Sequence, residues 1–365
     1  MKIFNHTLSP FDYFRMQTVL VLGAVSSITA YLYNLLTGYI DTDPVKVFII
    51  GFIVGALVGV FEEFIFIKMF RKIRLMYMVL IRSFIYLLLV VILLTGLELS
   101  IAFLEDNPIS SCFEIIKTDV FLYNFIFITI AIDFLVFFNQ IGKLFGHNNL
   151  MVLWSGKYRY PVKEERIFMF LDLISSTEIS NKLERIQYFN LINDFFHDLT
   201  IPVLRTSGHI YQYVGDEVVV TWRMKVGLKN NNCIYLFHLM QEEIHKNAEK
   251  YRKKYGLVPK FKAGVHCGEV ITAEIGDLKT EVIHNGEVVN TAARIRSSCT
   301  RYKKDLLISK DLKDQLSFSD NFSTENIGKI ELKGVPEPME LYAVEPTNKG
   351  KIFTEIIVKG KNGNG

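Results

Sequence analysis

The stretch Arg166-Ile167-Phe168-Met169-Phe170-Leu171-Asp172 decides how this chain is read. It is a short apolar run without polar alternation, the mark of a strand buried on both faces. The run ends in an acid, so the strand delivers Asp172 to its C-terminal end. Leu173-Ile174-Ser175-Ser176-Thr177-Glu178 comes next, then a helical pattern on Ile179, Leu183, Ile186, Ile192, Phe195 and Leu199. A Ser/Thr turn opening a helix presents free backbone N–H groups and the positive dipole end, which suits phosphate. The same turn is also an ordinary helix N-cap.

Further along, His209-Ile210-Tyr211-Gln212-Tyr213-Val214 alternates as a strand, Gly215-Asp216 turns, and Glu217 to Trp222 returns. Gly-Asp between β-rich runs is first a hairpin signal. Beside Asp172 on an adjacent strand, Asp216 completes a two-carboxylate site of the kind that holds a divalent cation with substrate phosphates. Asn290-Thr291-Ala292-Ala293-Arg294 follows Gly286, and its alanines favour a helix. At i and i+4, Asn290 and Arg294 share one helix face. Asn suits a ribose oxygen, and the Arg fork suits phosphate. Leu332-Lys333-Gly334-Val335 lies near Pro336 and Pro338, before a strand-like Met339 to Val344, and Lys333 is a candidate phosphate partner.

Upstream, the chain changes character. Hydrophobic residues make up 50% of its 365 residues, and the excess lies before about residue 145. A helix needs about 20 apolar residues to cross a bilayer. Four segments qualify, near 14–39, 45–67, 75–97 and 121–144, which predicts an all-α transmembrane bundle over 1–144. The connection Lys68-Met69-Phe70-Arg71-Lys72-Ile73-Arg74 is basic and should be cytoplasmic. The connections holding Asp41 and Asp43, and Glu98, Glu105, Asp106, Glu114 and Asp119, should face outward. Four crossings then leave the N-terminus and the C-terminal domain in the cytoplasm, at the inner (plasma) membrane. Glu62, Glu63, Arg82 and Asp133 fall within the spans. Such residues face a partner or a cavity, so they are either a structural carboxylate–arginine pair or a sensing site.

Residues 145–165, with Gly146, Gly156 and Pro161, break the pattern and form a linker. Within it, Asn148 to Trp154 reads as a short amphipathic transducer or an interfacial tether. Residues 166–346 form the soluble domain, and 347–365 a flexible tail. Net charge is only +3, with no arginine-rich stripe, so nucleic acid is not expected as a partner. Cys112, Cys233, Cys267 and Cys299 form no CxxC and are read as structural.

The order of these features, carried by Phe170-Leu171-Asp172-Leu173, Val214-Gly215-Asp216-Glu217 and Val289-Asn290-Thr291-Ala292-Ala293-Arg294, resembles the class III adenylate and guanylate cyclases over about 163–346. The resemblance implies an α+β domain with a ferredoxin-like βαββαβ core. It implies two divalent ions, Mg²⁺ or Mn²⁺, on Asp172 and Asp216 with the Leu173 carbonyl. It further implies triphosphate binding by Ser175, Ser176, Thr177 and Lys333, catalysis by Asn290 and Arg294, and a homodimer with composite sites. The purine-reading positions correspond to Gln212 and Ile283, with His284 beside the latter. Typical adenylate cyclases carry Lys and Asp or Thr at these two places, and typical guanylate cyclases Glu and Cys. Gln212 can donate and accept. ATP is the expected substrate, with GTP as the alternative.

Three other readings stand beside it. A diguanylate cyclase hairpin would need a second glycine and a Phe where Val218 stands. A degenerate module would bind nucleotide or a partner without turnover. A transporter with an appended regulatory domain would place the function in the membrane half.

Overall fold

The computed structural model describes residues 10–37, 44–66, 81–89, 119–145, 155–318 and 321–347, with short pieces at 2–3, 6–7, 77 and 91–92. The chain divides into two compact units, Met1–Met151 and Val152–Gly365.

The first unit holds helices α1 (Pro10–Thr37), α2 (Pro44–Val60, continued by a π-helical turn Phe61–Phe66) and α3 (Asp119–Phe145). Two segments are long and apolar enough to cross a membrane, Arg15–Leu36 and Pro44–Phe66, with mean hydropathy 1.7 and 2.3. Within α3 the apolar stretch is shorter, Phe125–Gln140. Of the expected third span, residues 77, 81–89 and 91–92 are helical. The rest of that span, Cys112, residues 148–154 and the tail after 347 lie outside the described residues. Gly51, Gly55 and Gly59 are buried on α2, and small residues at such spacing let helix backbones approach closely in lipid. Ser27 on α1 donates to the Phe48 carbonyl at 3.0 Å.

Among the described residues, Glu62, Glu63 and Asp133 each meet a side-chain partner. Arg82 Nη1 reaches Glu62 Oε2 at 3.1 Å, and the Tyr86 hydroxyl donates to Glu62 Oε1 at 2.7 Å. Asn139 Nδ2 donates to Glu63 Oε1 at 3.4 Å, and Ser83 Oγ to Asp133 Oδ1 at 3.0 Å. Both glutamates and Arg82 are buried, and each meets a polar partner, as a buried charge requires. This is the carboxylate–arginine pair among the two readings of these residues.

The second unit is built on an eight-stranded sheet. Its elements are β1 (Val162–Leu173), α4 (Ser176–Lys182), α5 (Arg185–Arg205), β2 (His209–Val214), β3 (Glu217–Arg223), α6 (Asn232–Lys246) and α7 (Ala248–Tyr255). They continue with β4 (Phe261–Ile275), β5 (Glu281–Asn285), α8 (Glu287–Tyr302), β6 (Leu306–Ser309), β7 (Phe322–Ile330) and β8 (Met339–Pro346). The strand order is β2-β3-β1-β4-β6-β8-β7, with β5 paired to β4. β1 lies antiparallel between β3 and β4, while β4 and β6 are parallel. The segment from β1 to β4 is thus a βαββαβ unit with a ferredoxin-like strand order, and α8 crosses between the parallel pair.

The central position of β1 explains its apolar run. Ile167, Met169, Leu171 and Leu173 pack with Leu191, Phe195 and Leu199 of α5 and with Phe237 and Met240 of α6. Phe168 and Phe170 point the other way, onto Val219, Val270, Val288 and Ala292. Alternation along a strand sends successive side chains to opposite faces, and here both faces are covered. Each large apolar side chain so buried contributes roughly 1.5–3 kcal/mol relative to exposure.

Three sequence expectations are corrected. β1 starts at Val162, inside the expected linker, because residues 162–165 pair with Glu269–Thr272 of the long β4. Their polar alternation concealed a strand that is buried only from Arg166 onward. The helical pattern after Asp172 is two helices, broken at an extended Leu183 (φ −96°, ψ 149°). As a result Ile186 is 76% exposed rather than in the core. Ser175 takes a left-handed conformation (φ 57°) and makes no side-chain cap bond, so the N-cap reading fails there.

Gly264 on β4 sets how closely α8 lies on the sheet. A Cβ there would stand 2.1 Å from the Arg296 backbone N and 2.6 Å from its Cα. No side chain can yield to that clash, so the helix must lift. We expect Gly264→Ala to destabilise the second unit by about 3 kcal/mol or more, read as loss of the cooperative transition in chemical denaturation of the purified chain. A near-wild-type midpoint would show that α8 is not seated on Gly264.

Candidate active site

Strand register builds the acidic end of β1. Asp172 stands opposite Glu217 on β3 and opposite Lys262 on β4. The three form one row across three strands, on the face that α8 covers. Gly215 adopts φ +63° in the two-residue turn closed by the Val214–Glu217 pair, a conformation glycine accepts without steric cost. That turn carries Asp216 to the rim beside Asp172.

Arg296 of α8 reaches into this row. Its Nη1 donates to Asp172 Oδ2 at 3.0 Å, and its Nη2 lies 2.5 Å from Glu217 Oε2. Lys262 Nζ is 3.6 Å from the same Asp172 oxygen and donates to Thr300 Oγ1 at 2.8 Å. Burial pushes the Asp172 carboxyl above its usual range. Arg296 and Lys262 pull it down, and Asp216 pushes it up again. Glu217 is raised by burial in the same way, against the pull of Arg296. The Tyr188 hydroxyl lies beside Ser176, and its pKa is raised by burial and by Asp216.

The donor set suits a hard divalent cation. Two crowded carboxylates at a strand end leave an excess of negative charge, here offset by Arg296 and Lys262, and carboxylate oxygen is what Mg²⁺ prefers. Among the described residues, no three His, Cys, Asp or Glu side chains form a metal-holding group. A cation held by Asp172 and Asp216 would therefore need oxygen from the Leu173 carbonyl, water or phosphate. Past Leu173, Ser175 is exposed, Ser176 half-buried and Thr177 exposed. The left-handed Ser175 followed by the first turn of α4 gives the αL–αR geometry in which successive N–H groups converge on an anion.

Asn290 and Arg294 occupy a different surface. Both are exposed, while Thr291, Ala292, Ile295 and Cys299 are buried against the sheet. Arg296 lies about 200° round the helix from Arg294, and Asn290 is about 9 Å before Arg296 along the axis. Lys333 is exposed in the loop between β7 and β8, in a shallow depression with Glu331, Leu332, Val335, Pro336 and Pro338. β6 runs parallel to β4 from the Asp172 end, and β8 returns antiparallel to it. Lys333 therefore lies toward the other end of the sheet. One chain brings Asp172 and Asp216 together, but it turns Asn290, Arg294 and Lys333 elsewhere.

The two positions expected to read the purine lie on separate strands. Gln212 is exposed on the edge strand β2, just after an irregularity in its pairing at Ile210–Gln212. Ile283 is half-buried on β5, opposite Ala273. Their neighbours join. The His284 backbone N–H donates to the Tyr211 hydroxyl at 3.3 Å, the two rings are 4.9 Å apart, and Thr272 Oγ1 lies 2.8 Å from His284 Nδ1. Phe168 packs edge-on at 5.6 Å.

Sequence reasoning missed Arg296, Lys262, Tyr188, Tyr211 and Thr272. Arg296 left a signal, a charge four residues after Ala292 on the stripe that α8 buries. Cys233, Cys267 and Cys299 are free and buried. Burial pushes the Cys267 and Cys299 thiols up to about 12, which makes them inert.

Residues 160–346 match the adenylate and guanylate cyclase catalytic domain. That is just over half of the chain, which belongs to this family. It is 34% identical over 200 residues to adenylate cyclase 2 of Rhizobium meliloti (strain 1021), covering 55% of each protein. It is 28% identical over 187 residues to an adenylate cyclase of Anabaena cylindrica, covering 48% of this chain and 36% of that one. The chain thus spans about half the length, or less, of these curated relatives. A bacterial light-regulated adenylyl cyclase shares the fold, with a TM-score of 0.51 at 19% identity over 60% of this chain and 64% of that one.

Burial, reinforced by the charge of Arg166, holds the His284 imidazole down to about 3. An unfolded histidine titrates near 6.5, so the unfolded chain binds this proton first as pH falls. The stability held in neutral His284 is complete above pH ~6.5 and declines toward ~3, at about 1.4 kcal/mol per pH unit. Denaturation free energies between these limits should carry that slope added to those of His238 and His266, whose imidazoles burial also holds down, to about 4. His284→Phe should flatten it by that one group, and an unchanged slope would show His284 to be solvated.

Proposed function

We propose that this chain is a membrane-anchored adenylate cyclase that converts ATP to 3′,5′-cyclic AMP and pyrophosphate at sites shared by two copies. The observation that carries this reading is the division just described. Asp172 and Asp216 gather at one end of β1, while Asn290 and Arg294 face outward on α8. Two copies facing each other bring one chain's aspartates to the other's Asn and Arg, twice, by two-fold symmetry.

In this reading Asp172, Asp216 and the Leu173 carbonyl hold Mg²⁺ or Mn²⁺, which when bound eases ionisation of the ribose 3′-hydroxyl and neutralises phosphate charge. The chain's own groups do the positioning. The Ser175, Ser176 and Thr177 N–H groups hold the β- and γ-phosphates, with Lys333 from the second copy. Asn290 orients the ribose, so that its 3′-oxygen stands in line with the α-phosphorus. The new 3′-O–P bond forms as the bond to the β-phosphate oxygen breaks, and pyrophosphate leaves. Arg294 stabilises the charge that develops on the α-phosphate. Gln212 and Ile283 line the purine edge. ATP is favoured because both relatives above are named adenylate cyclases, and GTP is the alternative.

The membrane half is read as four spans, near 14–39, 45–67, 75–97 and 121–144, placing both the N-terminus and the catalytic unit on the cytoplasmic side of the plasma membrane. The two apolar helices and the basic connection 68–74 support this. A signal received there would reach the cyclase through the segment before β1.

Purified chain in lipid nanodiscs should make cyclic AMP from ATP with Mg²⁺ or Mn²⁺. Asp216→Ala and Asn290→Ala should each lose roughly 10²-fold or more. Mixed as unfolded chains and refolded together, the two inactive variants should recover about a quarter of wild-type turnover, since half the dimers are mixed and each keeps one intact site. No recovery would defeat the composite site. Cyclic GMP alone would reverse the substrate, and no cyclic product from either nucleotide would favour a degenerate signalling module.

A further inference from the structure

We propose that Arg296 is a resident counter-cation of the carboxylate row, one that a divalent metal must displace. It is then a positioning residue that sets the metal affinity of the site. The inference rests on the reading that Asp172 and Asp216 hold the metal.

The geometry is specific. The guanidinium bridges two acids on neighbouring strands, Asp172 at 3.0 Å and Glu217 at 2.5 Å. Asp172 is only 9% exposed and its partners are part-buried, so this is an ion pair in a poorly solvated place. There a charge couples strongly to whatever stands beside it. The fork is also incompletely satisfied, because Arg296 Nε is buried with no hydrogen-bond partner among the described residues. Glu217 Oε2, although close to Nη2, makes no well-directed hydrogen bond. Arg296 is part-buried and leaves Nε without a partner, a cost that is relieved when the side chain withdraws toward solvent.

The alternatives to a moving Arg296 side chain are closed off. Arg296 is anchored at its backbone by the contact with Gly264, which leaves the side chain as the part that moves. Lys262 of β4 lies 3.6 Å from Asp172 Oδ2 and already donates to Thr300. It cannot bridge to Glu217 in the same way. When the metal arrives, the guanidinium must withdraw from Asp172. Glu217, not among the proposed ligands, is the acid to which it can remain paired. Glu217 is thus the parking place for Arg296, and Asp172 the acid it gives up.

The test reads Mn²⁺ binding directly, without turnover. Free Mn²⁺ is followed by electron paramagnetic resonance in titrations of the purified full chain in detergent near neutral pH. Asp172→Asn identifies the site by removing the binding. Arg296→Gln is expected to tighten Mn²⁺ binding by roughly tenfold. Arg296→Lys keeps the charge but cannot bridge two acids with one ammonium, so its affinity should fall between the two. It also keeps the test alive if the glutamine variant does not fold. Affinities for Arg296→Lys and Arg296→Gln equal to or weaker than wild type, with unchanged circular dichroism, would overturn the proposal. Binding lost in Asp172→Asn without the Arg296 order defeats this inference alone. Wild-type protein that binds no Mn²⁺, or binds it independently of Asp172, defeats the metal reading beneath it as well.

Discussion

The close seat of α8 on β4 is the contact on which the rest of the catalytic unit depends. At Gly264 the helix backbone lies where a Cβ would be, so the helix–sheet distance is set by main chain rather than by adjustable side chains. Three consequences follow from that one approach. It closes the second face of β1 over Phe168 and Phe170. It lowers Arg296 into the row formed by Asp172, Glu217 and Lys262. It also turns Asn290 and Arg294 outward, because a helix pinned along one stripe has no freedom to present both sides.

The charged row is unusual for the end of a central strand, where an apolar residue would be cheaper to bury. Asp172 stays there with two cations beside it, and its carboxyl is still raised by burial. A strand end built only for stability would not carry that cost. The arrangement makes sense for a site that exchanges one positive partner for another, in which the protein supplies fixed charges and the ligand supplies the rest.

The N-terminal unit solves a different form of the same problem. Glu62, Glu63 and Asp133 are placed among apolar helices, yet Arg82, Tyr86, Asn139 and Ser83 meet them. In both units buried charge survives because partners arrive from another segment of the chain. The glutamates sit in the π-helical turn Phe61–Phe66, where a widened helix aims side chains differently from an α-helix.

Much of the catalytic unit was legible along the chain because its determinants are local. An unbroken apolar run specifies a strand covered on both faces, and a Gly-Asp turn between β-rich runs specifies a tight hairpin. Together they place Asp172 and Asp216 at strand ends with no knowledge of the remainder. Residues spaced i and i+4, such as Asn290 and Arg294, share a helix face wherever that helix is put. What local pattern could not carry was partnership. Residues 162–165 read as linker because their strand character depends on β4, about a hundred residues later. Ile186 read as core because the extended Leu183, which separates two helices, does not interrupt the apolar periodicity. Arg296, Lys262 and the Tyr211–His284–Thr272 corner depend on which strand lies beneath which helix and on where β5 returns across the sheet. Periodicity and turn chemistry act over a few residues and are written in the sequence. The pairing of charges and rings across distant segments is decided only when the sheet closes and burial forces each polar group to find a partner.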